Sequence, residues 1–214
     1  MTNTLTLYTN PMSRGRIARW MLEEVGAPYE TVLLDYGTTM KGADYLAVNP
    51  MGKVPAIKHG DTVVTEGAAI CAYLADAFPQ ANLAPPPGSP ARGAYYRWLF
   101  FAAGPVESAV TNKSQGFQSD KKQMLGYGSF EDTIDALETA LAPGPYICGE
   151  QFTAADVYVG AQIGWGMMFG TIEKRPSFEA YFARLQARPA AIRANQLDDA
   201  AMPQQEAAPA PQPA

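Results

Sequence analysis

Residues 49–57, Asn-Pro-Met-Gly-Lys-Val-Pro-Ala-Ile, and residues 65–70, Thr-Glu-Gly-Ala-Ala-Ile, confine the chain more than any other stretch. The Val54-Pro55 pair opens a short β-run, Pro55–Lys58. A tight turn at His59-Gly60-Asp61 leads to a second run, Thr62–Thr65, so the segment reads as a hairpin. A proline at the start of a strand removes a ladder donor and favours a rigid bend of the kind that accommodates a cis peptide bond. Such a bend leaves the Val54 N–H and C=O unpaired and turned toward a cleft. Glu66 and Gly67 then open a helix, which sets free N–H groups beside a carboxylate. Together the two features can hold a small peptide by its backbone and its charged end.

The flanking pattern supplies the scaffold. Residues 4–9 alternate like a strand. Residues 13–25 read as an amphipathic helix with Ile17, Trp20, Met21 and Val25 on one face, stopped by Gly26. Tyr29–Leu34 is a second strand, and 42–48 a short helix or irregular segment. After the hairpin a helix is expected from about Glu66 to Phe78. The order βαβαββα is thioredoxin-like, so residues 1–79 are expected to form an α+β domain. Five of the twelve residues 79–90 are proline, which marks 80–90 as a linker. Residues 91–199 then read as an all-α helical bundle. Helices are expected over 91–114, 119–141 (with Gly126 and Gly128 as bends), 154–169, 176–187 and 189–198. The Pro/Ala/Gln-rich stretch 200–214 is expected to be a disordered tail.

Charge and composition remove several function classes. A net charge of −5 argues against nucleic-acid binding, which needs a basic face. No apolar run is long enough to span a bilayer, so no membrane partner is expected. The N-terminus has no basic start and no long apolar run, and so does not read as a signal peptide. Two isolated cysteines, Cys71 and Cys148, make no disulfide framework and fit a reducing, cytoplasmic setting. The single histidine, His59, falls in the hairpin turn, so no metal site is expected. The chemistry is left to hydroxyls, backbone dipoles, arginines or a cofactor thiol.

Two further motifs matter. In Phe152-Thr-Ala-Ala-Asp-Val157, Thr153 and Asp156 form a capping box with Phe152 and Val157 as a staple, a folding signal without chemistry. The segment Tyr8-Thr-Asn-Pro-Met-Ser-Arg14 joins strand one to helix one. Ser13 reads as its N-cap, and a hydroxyl there lies at the positive end of the helix dipole. A thiolate placed beside it gains from both the dipole and the hydroxyl. Lowering a thiol pKa by two units takes about 2.7 kcal/mol, the size of one charge-assisted hydrogen bond plus a helix terminus. Arg14 and Arg16 add positive potential or form a solvated face.

On Ser13-Arg14, Asn49-Pro-Met-Gly-Lys-Val-Pro-Ala56, Thr65-Glu-Gly-Ala-Ala-Ile70 and Phe152-Thr-Ala-Ala-Asp156, the chain resembles the cytosolic glutathione S-transferases of bacterial type over residues 4 to about 198. The resemblance implies a homodimer that conjugates the glutathione thiolate to a small apolar electrophile in detoxification, with glutathione as co-substrate and no metal. It puts Val54 and Pro55 against the cysteinyl unit and Glu66 and Gly67 at the γ-glutamyl end. Lys53 is the candidate for the glycine carboxylate. Gly67 stands where many members have serine, which leaves only its N–H. The thiol-activating residue differs between classes: Ser13 is first choice, with Asn10 and Thr9 behind it. Two alternatives share these anchors. One is a glutathione-fold binding or scaffold protein with little catalysis. The other is a glutathione-dependent peroxidase, reductase or lyase for one metabolite.

Overall fold

The computed structural model describes residues 4–203, so residues 1–3 and, of the tail expected over 200–214, residues 204–214 lie outside the described part, while Ala200 belongs to the last turn of a helix. Strand β1 (Leu5–Thr9) buries Leu5, Leu7 and Thr9 and leaves Thr6 and Tyr8 half-covered, the period-two pattern of a strand on a core. It is the second strand of a four-stranded sheet of order β2-β1-β3-β4. β2 (Glu30–Leu33) runs parallel to β1, so a crossover helix must join them, and α1 (Gly15–Val25) is that helix. β3 (Ala56–His59) is antiparallel to β1 and to β4 (Thr62–Thr65), the expected hairpin. A short α2 (Ala43–Leu46) precedes the hairpin, and α3 (Gly67–Ala77) follows it. This thioredoxin-like unit is followed by a bundle of helices.

The bundle departs from expectation in two places. The helix expected over 91–114 is split into α4 (Pro90–Phe101) and α5 (Glu107–Ser114) by a π-turn at Ala102–Val106. Pro105 lies inside that turn; it has no N–H to close an i−4 bond, so the register widens there. The helix expected from Ser119 does not form until Phe130, where α6 (Phe130–Leu141) begins. Before it stand a 3₁₀ turn at Lys122–Met124 and Gly128 at φ +69°, a left-handed conformation no α-helix contains. Ser129 caps α6 by accepting from the Asp132 N–H at 3.1 Å.

α7 (Ala154–Phe169) is buried almost all round and forms the axis of the bundle. Its capping box is present, and Asp156 does more than cap. Fully buried, its carboxylate accepts from Thr153 N–H (2.8 Å), Thr153 Oγ1 (3.1 Å), Ile147 N–H (2.8 Å) and Tyr181 OH (2.9 Å). α8 (Pro176–Gln186) and α9 (Pro189–Ala200) complete the described part.

Four ion pairs lay α9 antiparallel along α1: Arg16–Asp199 (2.7 Å), Arg19–Asp198 (2.7 Å), Glu23–Arg193 (3.1 Å) and Glu24–Arg188 (2.7 Å). The expected apolar face of α1, Ile17, Trp20, Met21 and Val25, joins one core cluster that runs continuously through sheet and bundle. Among the described residues, no helix is long and apolar enough to cross a membrane.

Candidate functional site

A cleft of about 1340 Å³ lies between the sheet unit and α5 and α7. The hairpin supplies one wall. The Val54-Pro55 peptide is cis, and Val54 lies outside the ladder, which begins at Ala56. The bend is pinned from behind. The Lys53 carbonyl accepts from Tyr45 OH at 2.6 Å and from Asn49 Nδ2 at 2.7 Å. Burial pushes the Tyr45 phenol up to about 12, so it stays a donor. Lys41 Nζ donates to the Met51 and Gly52 carbonyls at 3.1 and 2.7 Å. These three supports escaped the sequence reading, because no local pattern ties an amide or a phenol to a carbonyl several residues on. The Lys53 side chain is exposed and lines the cleft.

Glu66 and Gly67 supply the next element. Glu66 has φ +66° and ψ 119°, a region non-glycine residues seldom adopt and one that costs about 1–3 kcal/mol. It is held there from both sides. Thr65 is fixed in the ladder opposite Ala56, and the Glu66 carbonyl accepts from the Ile70 N–H at 2.8 Å as α3 starts. The strained turn leaves the Glu66 side chain exposed at the cleft, beside the α3 N-terminus. At Gly67 an added Cβ would lie 2.9 Å from Tyr158 Cε2, so the ring of α7 fills the space a side chain would need.

The turn between β1 and α1 separates the three hydroxyl and amide candidates. Thr9 is fully buried and its Oγ1 has no partner among the described residues. Asn10 is 5% exposed; its Nδ2 donates to the Leu34 carbonyl (2.8 Å) and its Oδ1 accepts from the Met12 N–H (2.9 Å). It braces the turn against the end of β2. Neither lines the cleft, whereas Ser13 does. Its Oγ donates to the Asn10 carbonyl at 2.6 Å and accepts from the Gly15 N–H at 2.9 Å. The N-cap position itself belongs to Arg14, one residue later than expected, so Ser13 holds the helix start from just outside it.

The facing wall is helical. α5 presents Glu107, Val110, Thr111 and Ser114, and α7 presents Tyr158, Ala161, Gln162 and Trp165. Arg14 reaches Glu107 at 2.7 Å across the gap. Met168 and Phe169, 65% and 71% exposed, make an apolar rim with Met12 and Met51. Of Trp165, Met167, Met168 and Phe169 at the end of α7, only Trp165 and Met167 pack on the core.

The remaining candidates lie elsewhere. His59 Nδ1 pairs with Tyr73 OH at 3.0 Å and its ring stacks on Phe78. Cys71 is fully buried and Cys148 half-buried, and burial raises both thiols, Cys148 to about 11. Among the described residues no cluster of histidine, cysteine or carboxylates has the arrangement of a metal site.

Known proteins are similar to this chain over most of its length. Residues 3–76 match the family model "Glutathione S-transferase, N-terminal domain", and residues 124–184 match "Glutathione S-transferase, C-terminal domain". Glutathione S-transferase GstA of Escherichia coli O157:H7 is 29% identical over 189 residues, covering 86% of this chain and 94% of that protein. A glutathione transferase of Methylococcus capsulatus is similar in structure, with a TM-score of 0.78 and 32% identity over 92% of this chain and all of that one. A sphingomonad glutathione S-transferase solved with glutathione gives a TM-score of 0.75 at 30% identity, covering 91% of this chain and 98% of that one.

Proposed function

We propose, from the fact that this chain belongs to the glutathione S-transferase family, that it binds glutathione along the Val54–Gly67 wall and activates its sulfur beside Ser13. The observation that carries the reading is convergence. Ser13, Lys53, Val54, Pro55, Glu66 and Gly67, from three separate segments, line one cleft. The Val54 backbone pairs with the cysteinyl unit as an added strand would. The Glu66 carboxylate takes the α-amino group of the γ-glutamyl end, and the Gly67 N–H at the α3 N-terminus takes its carboxylate. Lys53 takes the glycine carboxylate.

Sulfur then lies at the α1 N-terminus. The Ser13 proton is committed to the Asn10 carbonyl in the free protein. Activation therefore requires the hydroxyl to turn from that carbonyl to the thiolate, while the Gly15 N–H continues to hold its oxygen. The exchange trades a neutral hydrogen bond for a charge-assisted one, which is roughly twice as strong. Thr9 and Asn10 shape the turn from beneath. The thiolate attacks an apolar electrophile held against Val110, Trp165, Met168 and Phe169. The functional unit is a homodimer, with domains at 1–79 and 91–199 joined by 80–90.

Calorimetric titration with glutathione tests the binding half: association is expected, and weaker association with Glu66→Ala. The pH–rate profile for a chloronitroarene tests the sulfur half. Ser13→Ala should raise the apparent pKa of the bound thiol by about 1–2 units, the loss of one charge-assisted bond. An unshifted profile removes Ser13 from the mechanism.

A further inference from the structure

Arg14 follows Ser13 in the chain and lines the same cleft, yet the glutathione reading gives it no contact with the tripeptide. Its guanidinium meets Glu107 at 2.7 Å, and the two side chains are 47% and 30% exposed, so the pair is not a buried tie. Glu107 is delivered to the cleft by the π-turn at Ala102–Val106, which resets the helical face just before it. Such turns occur often at functional sites. Gln162 Nε2 donates to Glu107 at 3.4 Å and to Tyr158 OH at 3.3 Å, so the carboxylate is steadied from α7. Of the other two cations on the cleft, one is paired and the other is assigned to glutathione. Arg16 donates to the Pro11 carbonyl (2.6 Å) and to Asp199 (2.7 Å), and Lys53 stands at the Val54 bend. Among the described residues, Arg14 is the cation left over for the electrophile.

We propose that Arg14 is a catalytic residue that selects electrophiles conjugated to a carbonyl or nitro group, leaving Glu107 to hold their oxygen as sulfur adds. The inference rests on the glutathione reading above. When the thiolate attacks such an acceptor, the C–S bond forms and the π electron pair moves onto oxygen as an enolate or nitronate. A guanidinium matches that planar, oxygen-rich anion. The electron pair then returns. In an enone it takes a proton from water at carbon; in a haloarene it expels halide. The thiol proton has already gone to solvent, so each route balances without an oxidant or reductant. An alkyl halide places no charge on oxygen and gains nothing from Arg14. An exposed arginine–carboxylate pair is weak, so changing partner costs little.

The test compares kcat/KM for an enone or chloronitroarene with that for a benzyl halide, in the wild-type protein, Arg14→Met and Arg14→Lys. In Arg14→Met the ratio of conjugated acceptor to benzyl halide should fall about 10- to 100-fold, somewhat less than loss of a buried oxyanion donor. Arg14→Lys should restore part of it. An unchanged ratio, whether both rates fall together or neither does, overturns the proposal. Glu107→Gln serves if Arg14→Met folds poorly. It frees the guanidinium and should raise the ratio, and an unaltered ratio again overturns the idea. Calorimetry on the same proteins separates the two readings. Failure of the wild-type chain to bind glutathione sinks both, whereas binding and turnover with an unmoved ratio sinks only the role of Arg14.

Discussion

Replacing Gly67 with alanine tests how closely the two halves of the site are fitted. The new methyl would lie 2.9 Å from Tyr158 Cε2, closer than carbon atoms approach in folded proteins. Tyr158 cannot readily turn aside. It is 6% exposed, its hydroxyl accepts from Gln162, and it stands on the most buried helix of the chain. Two effects oppose one another. Alanine brings helix propensity worth at most about 1 kcal/mol, less at a first helical position than in the interior. Overpacking costs about 1–3 kcal/mol. The balance is a net loss of about 1 kcal/mol, or roughly 2–4 °C in Tm for a chain of this size. The decisive measurement is a double-mutant cycle by urea unfolding. With Tyr158→Ala the ring is gone, and Gly67→Ala should become neutral or stabilising by up to about 0.5 kcal/mol. The same ΔΔG in both backgrounds, or a gain in the wild-type background, would refute the reasoning.

Other outcomes follow from the same contacts. Arg19→Ala strands the fully buried Asp198 carboxylate and should cost about 3–5 kcal/mol in denaturant unfolding. Arg193→Ala, at a more exposed ion pair of the same two helices, should cost about 1 kcal/mol or less. Asn49→Ala removes one of the two donors to the Lys53 carbonyl; it should weaken glutathione binding by about 1 kcal/mol, near five-fold in Kd, by calorimetry. The Cys148 thiol, raised to about 11 by burial, is protonated at pH 8. Iodoacetamide should label the native protein slowly there and faster as pH climbs toward 11, and rapid labelling at pH 8 would contradict this.

What the sequence disclosed depended on how local the cause was. Pro55, Gly60 and Gly26 act on their own neighbourhoods, so the hairpin and the end of α1 could be read directly. Apolar spacing from Phe130 to Leu141 was strong enough to suggest a helix reaching back to Ser119, but Gly128 at positive φ overrules it. The residue Ser13 was readable as a hydroxyl at a helix start. That Asn10 and Thr9 face inward was not, because their orientation depends on the Leu34 carbonyl and the packing under Gly15. The reason for glycine at 67 lies on α7, in the far half of the chain. Arg14 looked the same in sequence whether solvated or aimed across a cleft. Only the placement of Glu107 beyond a π-turn distinguishes the two.

The charges joining α1 and α9 run against each helix's own polarity. α1 carries arginines at its start and glutamates at its end; α9 is preceded by Arg188 and ends on Asp198 and Asp199. In isolation such an order is unfavourable, by about 0.3–1 kcal/mol per charge near a terminus. Helix α9 is therefore a poor helix until it finds α1. During synthesis the sheet strands and α1 emerge early, yet Arg16, which also grips the Pro11 carbonyl, must wait for Asp199. The strand-to-helix turn that carries Ser13 is thus tied, through Arg16, to a helix nearly two hundred residues away in the chain.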